Sequence, residues 1–255
     1  MTFAASVIVP VLNQIQDWLD QAVRSALQQS VPTEVVVVTS PHTGDGNRRL
    51  LSNLSQQFEN LRLLQHGPDV GFAGALNLGI RRAASDRIGF LLSDDWLEST
   101  AVEVCLRHDT DIVSTSIRLF CETRAGLRSV PHPALTQDTF QHLPTMAAKA
   151  SYLEHFFLFK KQALLDVGGV DESIGLVGPD DYDLVWTLLE RDLSVSVVSE
   201  RLYNYRGHSG ERLTLRPYED QRIELEMILD KHHVIDPERS QILEAQRRLH
   251  LQRDR

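Results

Sequence analysis

Through the first half of the chain, short continuous apolar runs alternate with stretches in which apolar side chains return every three or four positions. Residues 6–11 (Ser6-Val7-Ile8-Val9-Pro10-Val11) and 34–39 (Glu34-Val35-Val36-Val37-Val38-Thr39) are too short for helices and rich in β-branched side chains, so both read as strands covered on two faces. Between them Ile15, Trp18, Leu19, Ala22, Val23, Ala26 and Leu27 share one helical face. Val31-Pro32 ends that pattern, because the residue before a proline is pushed out of the α region. A strand-helix-strand unit of this length is a right-handed crossover and lays its two strands parallel. The alternation continues, with strands predicted at 61–65, 87–92 and 111–116 and a helix at 74–84. Residues 1–117 therefore predict a nucleotide-binding half.

From 118 to 149 the periodicity fades and Pro131, Pro133 and Pro144 interrupt it, the pattern of an excursion that covers a site or meets a second substrate. Order returns near Tyr152, with a helix over 160–167 closing at Gly168-Gly169, a helix over 181–190 and a strand over 194–198. Beyond Pro217 the chain is charged and helical, a solvated pair of terminal helices. The predicted fold class is α/β: a Rossmann-like, mixed but mainly parallel sheet flanked by helices. One domain spans 1–215, with halves 1–117 and 118–215, and a C-terminal helical appendage spans 216–255.

Composition narrows the partners. The 255 residues are 42% apolar, ample for one core, and the net charge is −9 with Lys and Arg scattered rather than striped, which excludes a nucleic-acid partner. A small anionic ligand then needs local compensation, for which a divalent cation serves. The start, residues 1–10, has no basic leader, and no apolar stretch reaches membrane-spanning length, so a cytoplasmic location is expected. Arg247, Arg248, Arg253 and Arg255 leave room for weak peripheral attraction to anionic lipid at the inner membrane face. Cys105 and Cys121 lack disulfide or metal spacing and read as buried free thiols.

Three polar clusters carry candidate chemistry. Ser93-Asp94-Asp95 follows the run Ile88-Gly89-Phe90-Leu91-Leu92 and so sits at the carboxyl end of a buried parallel strand, the edge at which open α/β sheets bind ligands. Adjacent carboxylates are costly unless compensated, and a hard divalent ion takes carboxylate together with phosphate oxygens. The alternative is that one of the two caps a helix starting near Trp96. Gly178-Pro179-Asp180-Asp181-Tyr182-Asp183-Leu184 places acids at the positive end of a helix, which alone accounts for them electrostatically; the catalytic reading makes Asp181 a general base for an acceptor hydroxyl. Tyr203-Asn204-Tyr205-Arg206-Gly207-His208-Ser209-Gly210 reads as a short polar loop, in which Arg206 faces a phosphate and His208 offers a nitrogen to the metal, or both are merely solvated. Lys160 and Lys161 are either phosphate or acceptor contacts or a solvated helix start.

Taken together, these stretches resemble glycosyltransferase family 2, a group of inverting enzymes with the GT-A fold. The resemblance runs from Ser6 to about Thr214. It is carried by Val7-Ile8-Val9-Pro10-Val11-Leu12-Asn13, by Asp69-Val70-Gly71-Phe72-Ala73-Gly74-Ala75-Leu76-Asn77-Leu78-Gly79, by Ser93-Asp94-Asp95 in the place of an Asp-x-Asp motif, and by Gly168-Gly169-Val170-Asp171-Glu172 with Asp180-Asp181-Tyr182-Asp183-Leu184. It implies transfer of a sugar from a nucleotide-diphosphate sugar, UDP-linked by preference, to a hydroxyl of a glycan or glycolipid, with Mn²⁺ or Mg²⁺ as cofactor, in cell-surface polysaccharide or glycoconjugate synthesis. Residue by residue, it implies that Asp94 contacts ribose or metal, Asp95 coordinates the metal, His208 is a further metal contact and Asp181 is the base. Pro10, Leu12, Asn13, Gly71 and Asn77 become donor-side positions, and Asp180, Asp183 and Arg206 further candidates. Two departures stand out. Thr39 and Ser40, donor-side candidates that can still hydrogen-bond the base, replace the acidic residues that usually meet it, and Leu92 replaces the first acid of the metal motif. A nucleotidyltransferase would need a Gly-rich, basic phosphate loop after the first strand, which Pro10-Val11-Leu12-Asn13-Gln14 is not. A non-catalytic nucleotide-sugar binding or scaffold protein of the same fold is the other alternative, opposed by retention of Asp94, Asp95, Asp181 and Asp183.

Overall fold

A computed structural model of the chain describes residues 2–68, 70–174, 180–208 and 217–253, with only the backbone of Asp180, Gln252 and Arg253. Strands β1 (Ala5–Val11) and β2 (Thr33–Thr39) are buried at every residue, as their unbroken apolar runs require. They pair in parallel, joined through α1 (Gln16–Leu27), which buries Leu19, Ala22, Val23, Ala26 and Leu27. After α2 (Asp45–Gln57) come β3 (Leu61–Gln65), α3 (Phe72–Arg82) and β4 (Arg87–Phe90), which complete a parallel run in the order β3-β2-β1-β4. Ile8 accepts from the Leu91 N–H, so Pro10, two residues on, faces the same side, past the last β1–β4 pair at Ile8 and Phe90. Its missing N–H therefore leaves no ladder bond unmade on that side.

The second half is mixed. β5 (Trp96–Leu97), α4 (Ala101–Leu106), β6 (Ile112–Thr123) and β7 (Gly126–Val130) are followed by α5 (Gln137–His142), α6 (Met146–Tyr152), β8 (Phe157–Lys160), α7 (Lys161–Asp166), α8 (Asp180–Leu189) and β9 (Val195–Gly207). β8 runs antiparallel between β4 and β6, and β9 lies parallel to β6 and antiparallel to β5, which gives one sheet in the order β3-β2-β1-β4-β8-β6-β9-β5 with β7 paired to β6. The predicted α/β class and the strands of the first half are as expected, but several boundaries differ. Residues 203–207, read as loop, extend β9; the helix expected near Trp96 is a two-residue strand; Lys160 closes β8 rather than opening a helix. The irregular 118–149 stretch resolves into a hairpin and two short helices capped by Thr136 and Thr145. Cys105 is buried, which pushes its thiol up to about 12, while Cys121 is only half-buried. Among the described residues no helix is long and apolar enough to cross a membrane.

The C-terminal helices are α9 (Tyr218–Lys231) and α10 (Glu238–Arg253). Far from being solvated, α9 buries Leu225, Ile228 and Leu229 in the same core as Leu184, Val185 and Trp186 of α8. Polar contacts fix that packing. Asp183, 1% exposed, accepts from Lys231 Nζ at 2.7 Å and His232 Nε2 at 3.1 Å. Lys231 also donates to Asp171 at 2.9 Å, and the His232 ring stacks on Trp186 with centroids 4.3 Å apart and its Nδ1 3.0 Å from Glu190. Removing one member of such a buried set leaves the others uncompensated, at about 3 kcal/mol. Asp183→Ala is therefore expected to lower the thermal midpoint by about 6–12 °C. Asp181→Ala, two residues away and exposed, should lower it by far less; equal shifts in a calorimetric melt would overturn this division.

Candidate active site

The chain leaves β4 through a turn at Ser93-Asp94-Asp95, and there the two adjacent carboxylates part company. Asp95 points inward and is 1% exposed. Its Oδ2 accepts from the Tyr203 hydroxyl at 2.6 Å and its Oδ1 from the Arg206 N–H at 2.6 Å, so it bolts the β4–β5 turn to β9. The Tyr203 hydroxyl in turn accepts from the Leu92 N–H at 3.3 Å. Burial, then the neighbouring Asp94 charge, push Asp95 up to about 7 in spite of these two donors. Each Asp95 oxygen is thus bonded within the chain, and the residue anchors the turn.

Asp94 is the carboxylate left partly open. Its Oδ2 lies 3.0 Å from His208 Nε2, so the ends of β4 and β9, distant in sequence, meet here as expected. The two are hydrogen-bonded as they stand, and a carboxylate oxygen beside an imidazole nitrogen is a pair that would be able to hold a divalent cation. Among the described residues no group of three His, Cys, Asp or Glu converges. Arg206 does not fit its predicted phosphate contact. It is 3% exposed, its guanidinium lies 4.9 Å from the ring centres of both Trp18 and Trp96, and it donates to the Asp94 carbonyl at 2.8 Å and to Gln21 at 2.6 Å. Trp18 also packs on the His208 ring at 4.6 Å. The sequence places Trp18 only on the apolar stripe of α1 and carries no signal for the sandwich.

Asp181 stands at the start of α8, its side chain half-exposed, with Oδ2 3.2 Å from His155 Nε2. The His155 ring stacks on Tyr203, centroids 5.3 Å apart, and Tyr203 reaches Asp95. Asp181 and the Asp94-Asp95 turn are thus joined by side chains in contact, and the sequence missed His155, the link. Asp183 faces the C-terminal helix and not the cleft, which removes it as a candidate. The side chain of Asp180, like Asp69, Gly178, Pro179, Ser209, Gly210 and Thr214 of the motifs and Arg255 of the tail, lies outside the described residues.

The donor-side candidates divide in the same way. Leu12, Asn13 and Gly71 are exposed at the ends of β1 and at the start of α3, and Asn13 Oδ1 accepts from the Gly44 N–H at 2.7 Å, next to the start of α2. Asn47 and Arg48, unremarked in the sequence, brace that region: Asn47 pairs with the Gln14 backbone, and Arg48 donates to the carbonyls of Ser40, Pro41 and Thr43. Pro10 is buried in β1. The expected base contacts, Thr39 and Ser40, are turned inward, the first donating to the Leu64 carbonyl at 3.0 Å and the second accepting from the His42 N–H at 3.1 Å. Asn77 is likewise spoken for. Its amide exchanges bonds of 2.8 Å with the Val170 N–H and carbonyl and donates to Glu172 at 2.9 Å, so it locks α3 to the loop after α7. Gly169 (φ +82°) is required there, since a Cβ would collide with the Asn77 amide.

The raised Asp95 has a measurable consequence. A carboxyl that holds its proton to about pH 7 when folded but to about pH 4 when unfolded binds more protons in the folded state between those values. The stability it contributes is therefore complete below about pH 4 and is lost as the pH rises to about 7, at up to about 1.4 kcal/mol per unit. In metal-free buffer, the unfolding free energy of the native chain minus that of Asp95→Asn should fall from pH 5 to 7 and level off above. A difference that rises over that interval contradicts the burial argument.

The sequence model described as glycosyl transferase family 2 matches residues 6–166. The O-antigen biosynthesis protein RfbC of Myxococcus xanthus is 25% identical over 207 residues, 80% of this chain and 16% of that protein. The uncharacterized glycosyltransferase EpsJ of Bacillus subtilis is 24% identical over 230 residues, 84% of this chain and 63% of the relative, so the chain spans less than two thirds of either. Among solved structures, residues 1–349 of S. aureus TarS in complex with UDP superpose with a TM-score of 0.67 at 18% identity, covering 94% of this chain and 69% of that one. The fold is thus that of these GT-A proteins, and with a family match over more than half its length the chain belongs to glycosyl transferase family 2.

Proposed function

We propose that the chain transfers a sugar from a UDP-sugar to a hydroxyl of a glycan or glycolipid acceptor, with inversion at the anomeric carbon and with Mn²⁺ or Mg²⁺ held by Asp94 and His208. The observation that carries this reading is the meeting of Asp94 and His208 at the strand ends, with Asp181 joined to the same turn through His155 and Tyr203. The solved relatives support the donor class, since TarS has been crystallised with UDP and with UDP-GlcNAc. Names among the sequence relatives, O-antigen biosynthesis protein and chondroitin synthase, support a polysaccharide or glycoconjugate product.

Asp94 and His208 would hold the divalent ion, which would supply positive charge against the diphosphate leaving group. The residues do the rest. Asp181 takes the proton of the acceptor hydroxyl as the acceptor oxygen bonds to the anomeric carbon; the bond from that carbon to the diphosphate oxygen breaks, and UDP departs with the electron pair. One displacement from the face opposite the leaving group inverts the centre. Asp95, Arg206 and Tyr203 hold the turn that carries Asp94, which spares that group the cost of ordering during turnover. Exposed Leu12, Asn13 and the Gly71 backbone are left to meet the nucleoside.

Calorimetry and kinetics separate these roles. With Mn²⁺ present, Asp94→Asn and His208→Ala should each weaken UDP binding by about tenfold or more, with little change in EDTA. Asp181→Asn should lower sugar transfer by about 100-fold or more while UDP affinity stays within a factor of about two. No ion-dependent UDP binding by the native chain, or equal loss of binding in all three variants, sinks the assignment.

A further inference from the structure

We infer that His155 is the positioning residue of the base, holding the Asp181 carboxylate at a fixed place relative to the turn that carries Asp94. The inference rests on the reading of Asp181 as base and extends it to a residue outside the acidic motifs. Asp181 stands in the first turn of a helix with its side chain 49% exposed; Oδ1 accepts from the Tyr182 N–H at 2.8 Å, and among the described residues Oδ2 lies 3.2 Å from His155 Nε2. An exposed carboxylate with one such partner samples several rotamers, whereas proton abstraction needs a lone pair directed at the hydroxyl within about 0.5 Å.

His155 is built to be rigid. The backbone on both sides of it is pinned to β6: Glu154 N–H donates to Ser114 Oγ at 3.0 Å, Ser114 Oγ donates back to the Glu154 carbonyl at 2.7 Å, and Phe156 N–H donates to Thr115 Oγ1 at 2.9 Å. The ring, its side chain 17% exposed, is held edge-on by Phe157 at 5.1 Å and stacked on Tyr203 at 5.3 Å. Tyr203 is in turn bonded to Asp95, the residue next to Asp94. Base and donor turn are therefore set by one relay of packed side chains, Asp181, His155, Tyr203 and Asp95. Stability is a weak reason for such a pair, because an ion pair with a half-exposed member contributes little to folding.

The test separates the polar contact of 3.2 Å from packing. His155→Phe keeps a ring against Tyr203 and Phe157 but removes the N–H. His155→Gln keeps an amide N–H near the Nε2 position, and His155→Asn stops short of it. UDP release is followed with Mn²⁺, from whichever of UDP-N-acetylglucosamine, UDP-glucose and UDP-galactose the native chain turns over fastest, alongside UDP affinity by calorimetry and the thermal midpoint. In the Phe and Asn variants kcat should fall by about tenfold to a hundredfold, with KM and UDP affinity within about twofold, and Gln should restore most of it. Adding His155→Phe to Asp181→Asn should cost nothing further. Native kcat in the Phe or Asn variant, a loss expressed in KM and UDP affinity instead, or a Gln variant as slow as Asn overturns the inference. If Asp181→Asn itself keeps full kcat, the base reading falls and this falls with it; if Asp181→Asn is inactive while the Phe and Asn variants are not, only the role of His155 is lost.

Discussion

A carboxylate with almost no solvent contact, bonded at one oxygen to a tyrosine hydroxyl and at the other to a backbone N–H, determines how the two halves of this sheet meet. Asp95 leaves the end of β4, and its partners Tyr203 and Arg206 both belong to β9, which reaches the site only because it runs on for thirteen residues beside β6. With the turn fixed in this way, Arg206 is drawn between Trp18 and Trp96 and donates to the Asp94 carbonyl and to Gln21. The first helix, the donor turn and the last strand thus share one cation. Asp94 and His208 then face each other without needing to be ordered by a ligand. Taking the Asp95 charge out of water is costly, and its upward displacement to about 7 records that cost, which the two donors only partly offset.

The same device recurs away from the cleft. Asp183 ties the helix that starts with the acidic motif to α9, and Asn77 ties α3 to the loop at Gly169. In each case a short buried polar side chain joins elements far apart in sequence and is satisfied on every side that the contacts show. Such groups specify which surfaces meet, since an apolar replacement fits many registers, whereas a carboxylate or an amide without its partners is penalised. Helix α9 is therefore part of the frame that holds the start of α8, although its charged sequence suggests a solvated tail.

Strand and helix periods made the first half legible. Valine-rich runs buried on both faces have no competing interpretation, and the crossover rule supplies their parallel pairing. The failures have physical causes. Residues 203–207 lack a two-residue alternation because both faces of β9 are covered there, so Tyr203, Asn204 and Arg206 are all buried and the polar content imitates a loop. α2 went unnoticed because Asn47 stands among its buried residues with Leu51 and Leu54, which thins its apolar stripe. Adjacent acids in a turn look alike as letters; only the fold shows that Asp95 points inward while Asp94 stays partly open. Thr39, Ser40 and Arg206 are residue types able to meet a ligand, and nothing in their letters discloses the internal partners that claim them.

Those partners supply a criterion that the residue types alone do not. A side chain that acts on a ligand must make new bonds during turnover, and one buried among internal partners does so only by breaking from them, at about 1–3 kcal/mol for each group left unsatisfied. Asp95, Asp183, Asn77 and Arg206 are in that condition. Asp94 and Asp181 are not: each is partly exposed, and each has a histidine at about hydrogen-bond distance, His208 at 3.0 Å and His155 at 3.2 Å. A histidine is a partner that can be exchanged at small cost, since its ring nitrogens serve as donor, acceptor or metal ligand according to protonation. Rigid buried acids thus frame the site, and the acids left to work are the ones whose side chains keep a face open to a ligand.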